Sequence, residues 1–121
     1  MNPLTKILTQ EQRLNRIAKK IDFEVWRDSA GIYISKDCEN GKLLVCEYGG
    51  VDQSYWDYYG RTEMNCQLYT SPRDFGTNRI LFSVNSGDNK VSINQEVSFV
   101  KQVEKVACHR PFNIVSSAYR F

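Results

Sequence analysis

Asn40-Gly41 stands between two extended runs, IYISKDCE (32–39) and KLLVCEY (42–48), and it restricts the fold more than any other feature of the chain. Both residues tolerate the positive φ of a type I′ turn, so the pair predicts a two-residue β-hairpin. That turn dictates a register with Ile34 opposite Glu47, Cys38 opposite Leu43 and Tyr33 opposite Tyr48. Upstream, FEVWR (23–27) and the loop DSAG (28–31) supply a third strand, with Val25 opposite Ile34 and Trp26 opposite Tyr33. The two faces of this meander then differ. One carries Phe23, Val25, Ile32, Ile34, Leu43 and Val45, an aliphatic set suited to packing under a helix. The other carries a ring row, Trp26, Tyr33 and Tyr48, with Leu44 and Cys46 beside it. Cross-strand aromatic pairs stabilise a sheet by about 0.2–1 kcal/mol each, so the row needs no ligand to account for it.

Further strands follow. TEMNCQLY (62–69) alternates, with Met64, Cys66 and Leu68 inward and Glu63, Asn65 and Gln67 outward. SPRDFGTN (71–78) reads as a loop, RILFSV (79–84) as a strand and NSGDN (85–89) as a turn. Helical periodicity brackets the strands. Leu4, Ile7, Leu8, Leu14, Ile17, Ala18 and Ile21 share one side of an N-terminal helix, opposite Lys6, Arg13, Arg16, Lys19 and Lys20. Asn2-Pro3 and the box-like Thr9…Gln12 are rival starts, and the helix ends near Ile21 or Asp22. Val97, Phe99, Val100, Val103, Val106, Ala107 and Cys108 cover one arc of a second helix, which the Ser92…Gln95 capping box starts and Pro111 stops. A short strand over 112–116 closes the chain. The expected fold is a single α+β domain over 1–121: an antiparallel sheet of about five to six strands with an N-terminal and a C-terminal helix, in the order α-β-β-β-β-β-α-β.

Several function classes lose support at once. With 41% hydrophobic and 25% charged residues, the 121-residue chain has the composition of a folded domain. The net charge of +2 points to no partner by itself, so nucleic-acid binding has to rest on a local patch. No apolar run approaches the roughly 20 residues that span a bilayer, and the N-terminus has no signal-peptide core. The expectation is a cytoplasmic protein that makes no membrane contact. Cys38, Cys46, Cys66 and Cys108 are widely spaced and accompanied by one histidine, His109, which argues for buried reduced thiols and for no metal or cofactor.

The segment SYWDYYGR (54–61) holds Tyr55, Trp56, Tyr58 and Tyr59 with no aliphatic residue among them, followed by Arg61. Such rings give large, rigid contact area at low entropy cost, as at interface hot spots. They serve equally as a lid over the ring row, or as a platform for bases. Asp52 and Asp57 nearby would repel phosphate, which places base stacking last. A nucleic-acid surface, if one exists, combines Arg13, Arg16 and Lys20 of the first helix with Trp26, Tyr33 and Tyr48 of the sheet.

Hydrolytic chemistry would have to centre on His109, with Arg110 holding a phosphate and Glu104 as partner. Glu104 lies too far around the helix for this, and a cationic His109 at a helix C-terminus is favourable on its own. Arg73 and the amides near Gly76 could hold an anion, although such a turn is usually only a turn. The expectation is a small protein-binding module that docks on another protein through Tyr55, Trp56, Tyr58, Tyr59 and Arg61. Inhibitor and immunity-type proteins are comparable in size and poverty of motifs, as an analogy. Single-strand nucleic-acid binding is the alternative, and a small nuclease or hydrolase using His109 comes third.

Overall fold

The structure is a computed structural model that describes residues 10–29, 31–48, 63–87 and 92–108. Its elements run α1 (Gln10–Ile21), β1 (Glu24–Asp28), β2 (Gly31–Asp37), β3 (Leu43–Tyr48), β4 (Met64–Tyr69), a 3₁₀ turn at Pro72–Asp74, β5 (Ile80–Asn85) and α2 (Ile93–Cys108). The strands form one antiparallel sheet in the order β1-β2-β3-β4-β5. The α+β class and the order of elements are those expected. The proposed starts of α1 at Asn2 or Thr9 and the strand over 112–116 lie outside the described residues.

Both helices pack on one face of the sheet. Leu14, Ile17, Ala18 and Ile21 of α1 and Phe99, Val100, Val103 and Ala107 of α2 share a core with Ile34, Leu44, Cys46, Met64, Cys66 and Leu68. Helix ends are built as the sequence dictates. Ser92 and Gln95 exchange the capping-box bonds, Ser92 N to Gln95 Oε1 at 3.0 Å and Gln95 N to Ser92 Oγ at 3.1 Å. α1 stops where Asp22 turns left-handed at φ 59°, letting Phe23 N reach Ala18 O at 3.0 Å in a Schellman closure.

The hairpin at Asn40-Gly41 exists, but its register differs from the expected one by a residue. Ile34 pairs with Cys46 and Asp37 with Leu43. Cys38 N bonds Lys42 O at 2.8 Å, and Gly41 N bonds Cys38 O at 3.0 Å. Gly41 has φ +82°, whereas Asn40 is not among the described residues with positive φ. The connection is therefore a three-residue loop, a type I turn closed by a left-handed glycine, and not a type I′ turn. Asn40 instead serves the neighbouring helix, where its Nδ2 donates to Ala107 O at 2.8 Å and satisfies a carbonyl in the last turn of α2.

A one-residue slip exchanges the faces of a strand. Leu44 and Cys46 therefore enter the main core, while Leu43 and Val45 join Tyr33 on the opposite face. Tyr48 moves to the helix side, so the expected row Trp26–Tyr33–Tyr48 does not form. Upstream, the predicted pairs Val25–Ile34 and Trp26–Tyr33 are both present. The alternation of β4 is also as read, with Met64, Cys66 and Leu68 buried.

Candidate functional site

Outside the helix-covered core, the opposite face carries a ring cluster. Trp26 lies 5.0 Å from Tyr33 between centroids, and Phe75 approaches both edge-on, at 4.6 Å and 5.3 Å. Tyr69 completes the set, 5.6 Å from Phe75. Phe75 comes from the β4–β5 connection, and sequence reasoning missed it because one phenylalanine in a polar loop carries no periodic signal. The polar tips have partners: Trp26 Nε1 donates to Ser35 Oγ at 2.8 Å, and the Tyr33 hydroxyl donates to Asp28 Oδ1 at 3.3 Å. Burial pushes the Tyr33 phenol up, helped by the negative charges of Glu47 and Asp28. Tyr33 is only 6% exposed within this cluster, while Trp26 and Phe75 are half-buried at its edge.

A second site joins the two helices. Glu96, in the first turn of α2, is fully buried and paired with Arg13 of α1. Arg13 Nε also donates to the Tyr48 hydroxyl at 3.2 Å. The N-terminal dipole of α2 favours a negative charge here. Desolvation nevertheless raises the Glu96 pKa above the ordinary carboxylate range, offset in part by Arg13 and Tyr48. Burial pushes the Tyr48 phenol up as well, and the Glu96 charge adds to this.

Two residues of the expected nucleic-acid surface are drawn into this contact. Arg13 turns inward to an ion pair, and Tyr48 leaves the aromatic face for the same pair. Arg16, Lys19 and Lys20 remain exposed on α1. Lys36 takes Glu104 in a 2.7 Å ion pair, which gives Glu104 a partner other than His109. In the β4–β5 turn, Asp74 accepts bonds from the hydroxyls of Thr70 and Ser71, which lower its pKa. A carboxylate thus lies within the same turn.

Tyr55, Trp56, Tyr58, Tyr59 and Arg61 lie outside the described residues, as do His109 and Arg110. The strand ends that bracket residues 55–61 are described. β3 and β4 pair continuously from Leu43↔Tyr69 to Tyr48↔Met64, so the chain leaves and returns at directly opposed positions. One of those two residues is Tyr48, which Arg13 holds.

The cysteines pair in space despite their spacing. Cys38, beside the hairpin, is disulfide-bonded to Cys108 at the end of α2, which corrects the expectation of reduced thiols for these two. The Asn40–Ala107 bond shows why: the end of α2 rests on the hairpin, a proximity invisible at a separation of 70 residues. Cys46 and Cys66 are buried free thiols. Among the described residues no three His, Cys, Asp or Glu side chains converge as metal ligands. No helix among them is long and apolar enough to cross a membrane. Comparison with known protein families, with characterised proteins and with solved structures finds no match to this chain.

Proposed function

We propose that the protein is a small binding module that docks on another protein through Tyr55, Trp56, Tyr58, Tyr59 and Arg61. The observation that carries this reading is the Tyr48↔Met64 pairing. It brings the two strand ends that bracket this segment to directly opposed positions near the centre of the sheet. Long excursions with opposed ends are a common place for binding residues on a rigid scaffold. The base is rigid here, because Tyr48 is bonded to Arg13 and Arg13 is paired with the buried Glu96. The ring cluster of the outer face already has Phe75 as its edge-on partner, so it needs no second aromatic lid. An inhibitor or immunity-type role belongs to the same proposal.

Single-strand nucleic-acid binding is the weaker reading, since it keeps exposed cations at Arg16 and Lys20 but loses Arg13, Tyr48 and an open Tyr33. Compartment is where sequence and structure pull apart. The sequence favours the cytoplasm, whereas a Cys38–Cys108 disulfide is characteristic of oxidising compartments.

The test is capture of partners from the native host by the wild-type chain and by a Trp56→Ala/Tyr58→Ala double variant, with and without nuclease. Loss of hot-spot rings costs about 2 kcal/mol or more of binding. Tenfold or greater loss of a nuclease-resistant protein partner, at unchanged melting temperature, is expected. Unfolding of the double variant would instead make the segment structural, and loss of capture on nuclease treatment would favour nucleic acid.

A further inference from the structure

We propose that Cys46 and Cys66 form a second disulfide site, so that the oxidised chain carries the pairs Cys38–Cys108 and Cys46–Cys66. The two residues are direct partners across β3 and β4 and point to the same face. Their sulfurs lie 2.8 Å apart, and closing to a bond of about 2.05 Å requires less than about 1 Å of movement.

Four cysteines permit three pairings in principle, and the sheet allows one. Cys38 sits opposite Lys42, four positions along the chain from Cys46. At about 3.3 Å per residue, that separation far exceeds the roughly 7 Å that a disulfide can bridge. Cys108 is held beside Cys38 and is therefore distant from Cys46 and Cys66 as well.

The chemistry is thiol–disulfide exchange with a small-molecule disulfide such as oxidised glutathione. The thiolate of one cysteine attacks the oxidant's S–S bond, forming a mixed disulfide and releasing one small thiol. The second thiolate attacks the protein sulfur of that mixed disulfide, forming Cys46–Cys66 and releasing the second small thiol. Two electrons pass to the oxidant, and the two cysteine protons end on the released thiols.

Burial determines when this can happen. Both residues are 0% exposed, beneath α1 and α2. With neither sulfur open to solvent, a dissolved disulfide cannot reach the pair in the folded core, and desolvation together with the contact to Cys66 also pushes the Cys46 thiol well up. The pair is oxidised while the core is open or not at all, and its state records the environment in which the chain folded.

The experiment uses the wild-type chain in two arms. In one, reduced and denatured protein refolds in a glutathione redox buffer. In the other, it refolds fully reduced and only then meets oxidised glutathione. Free thiols are blocked in denaturant with N-ethylmaleimide, and non-reduced tryptic peptides are mapped by mass spectrometry. The first arm should link peptides 43–61 and 62–73. The second should leave both thiols free for labelling. A first arm in which Cys38–Cys108 is linked but Cys46 and Cys66 are both labelled overturns the site. Rapid oxidation of the pair in the second arm overturns its closure. A Cys38→Ala/Cys108→Ala variant, checked for fold by circular dichroism, repeats the first arm on the inner pair alone and should give the same linked peptides. If that variant does not fold, the wild-type map decides.

Discussion

Removing the charge that faces Glu96 tests whether the interhelical contact is buried as its geometry requires. The Glu96 side chain is 0% exposed and that of Arg13 is 10% exposed. Arg13→Ala therefore leaves a core carboxylate without a counter-charge, and breaking a buried pair from one side costs about 3–5 kcal/mol. The Arg13–Tyr48 bond belongs to the same network, so its loss is already inside that figure. The dipole of α2 still favours the orphaned charge by about 0.3–1 kcal/mol, which places the expected loss near about 3 kcal/mol. Urea unfolding at pH 7 reads it as a lower midpoint at unchanged m-value. Replacing both partners, Arg13→Met with Glu96→Leu, should be neutral or stabilising, because it removes the desolvation of both charges.

The pH dependence has a definite sign. Burial holds the folded-state pKa of Glu96 above its unfolded value, so the native state binds the proton more tightly. Stability from this group is full below the unfolded carboxylate pKa and is lost as pH rises through the raised folded one. Without Arg13 the folded value rises further and the loss at pH 7 grows. The gap between Arg13→Ala and wild type should therefore narrow as the pH falls below 7 and Glu96 takes up its proton. Glu96→Gln in the Arg13→Ala background should abolish the narrowing. A loss below about 1 kcal/mol that stays constant with pH would refute the reasoning, since only a solvated Glu96 behaves that way.

Three further outcomes follow from single residues. Asp22→Gly should stabilise the chain by about 0.5–1 kcal/mol in thermal unfolding, because Asp22 holds the left-handed closure of α1 at φ 59°. Phe75→Ala should cost about 2 kcal/mol and shift Trp26 fluorescence to the red, since Trp26 loses its 4.6 Å edge contact. Ser92→Ala should cost about 1 kcal/mol in urea unfolding, through loss of the bond to Gln95 N.

The parts of the fold that were legible are those where one residue type has one physical use. Ser92 and Gln95 satisfy each other's amides, and the alternation of Met64, Cys66 and Leu68 leaves one face for β4. The hairpin register was not legible, for two reasons that act together. Asn-Gly suits both a two-residue type I′ turn and a three-residue turn ending in a left-handed glycine, and only the φ of Asn40 distinguishes them. The strand that follows cannot decide. Leu43, Leu44, Val45 and Cys46 are all buried, because β3 is the central strand and both its faces are covered. A strand apolar on both faces carries no parity, and an error of one residue then goes uncorrected.

That lost parity also governs the candidate site. Tyr48 reads as a ring for the outer face, yet in the true register it lies under the helices, where its hydroxyl meets Arg13. Arg13 reads as one of several cations on the solvent side of α1, yet it is the one whose position along the helix faces the first turn of α2. Spacing within α1 puts Arg13 beside Ile17 at the edge of the apolar arc, but it puts Lys20 on the same side; the difference is Glu96, 83 residues away. Glu96 is silent in turn, because a glutamate in the first turn of a helix is ordinary. The alternation of β4 cannot settle β3 from the sequence either, since Leu43 or Val45 would give Cys66 a buried partner as well as Cys46 does, and no short turn joins β3 to β4 to set their register. The pairing of Cys46 with Cys66 is what puts Leu44 and Cys46 on the helix-covered face, and Tyr48, two residues on, beside Arg13. Parity passes from one strand to the next only through a known register, and a central strand apolar on both faces interrupts it.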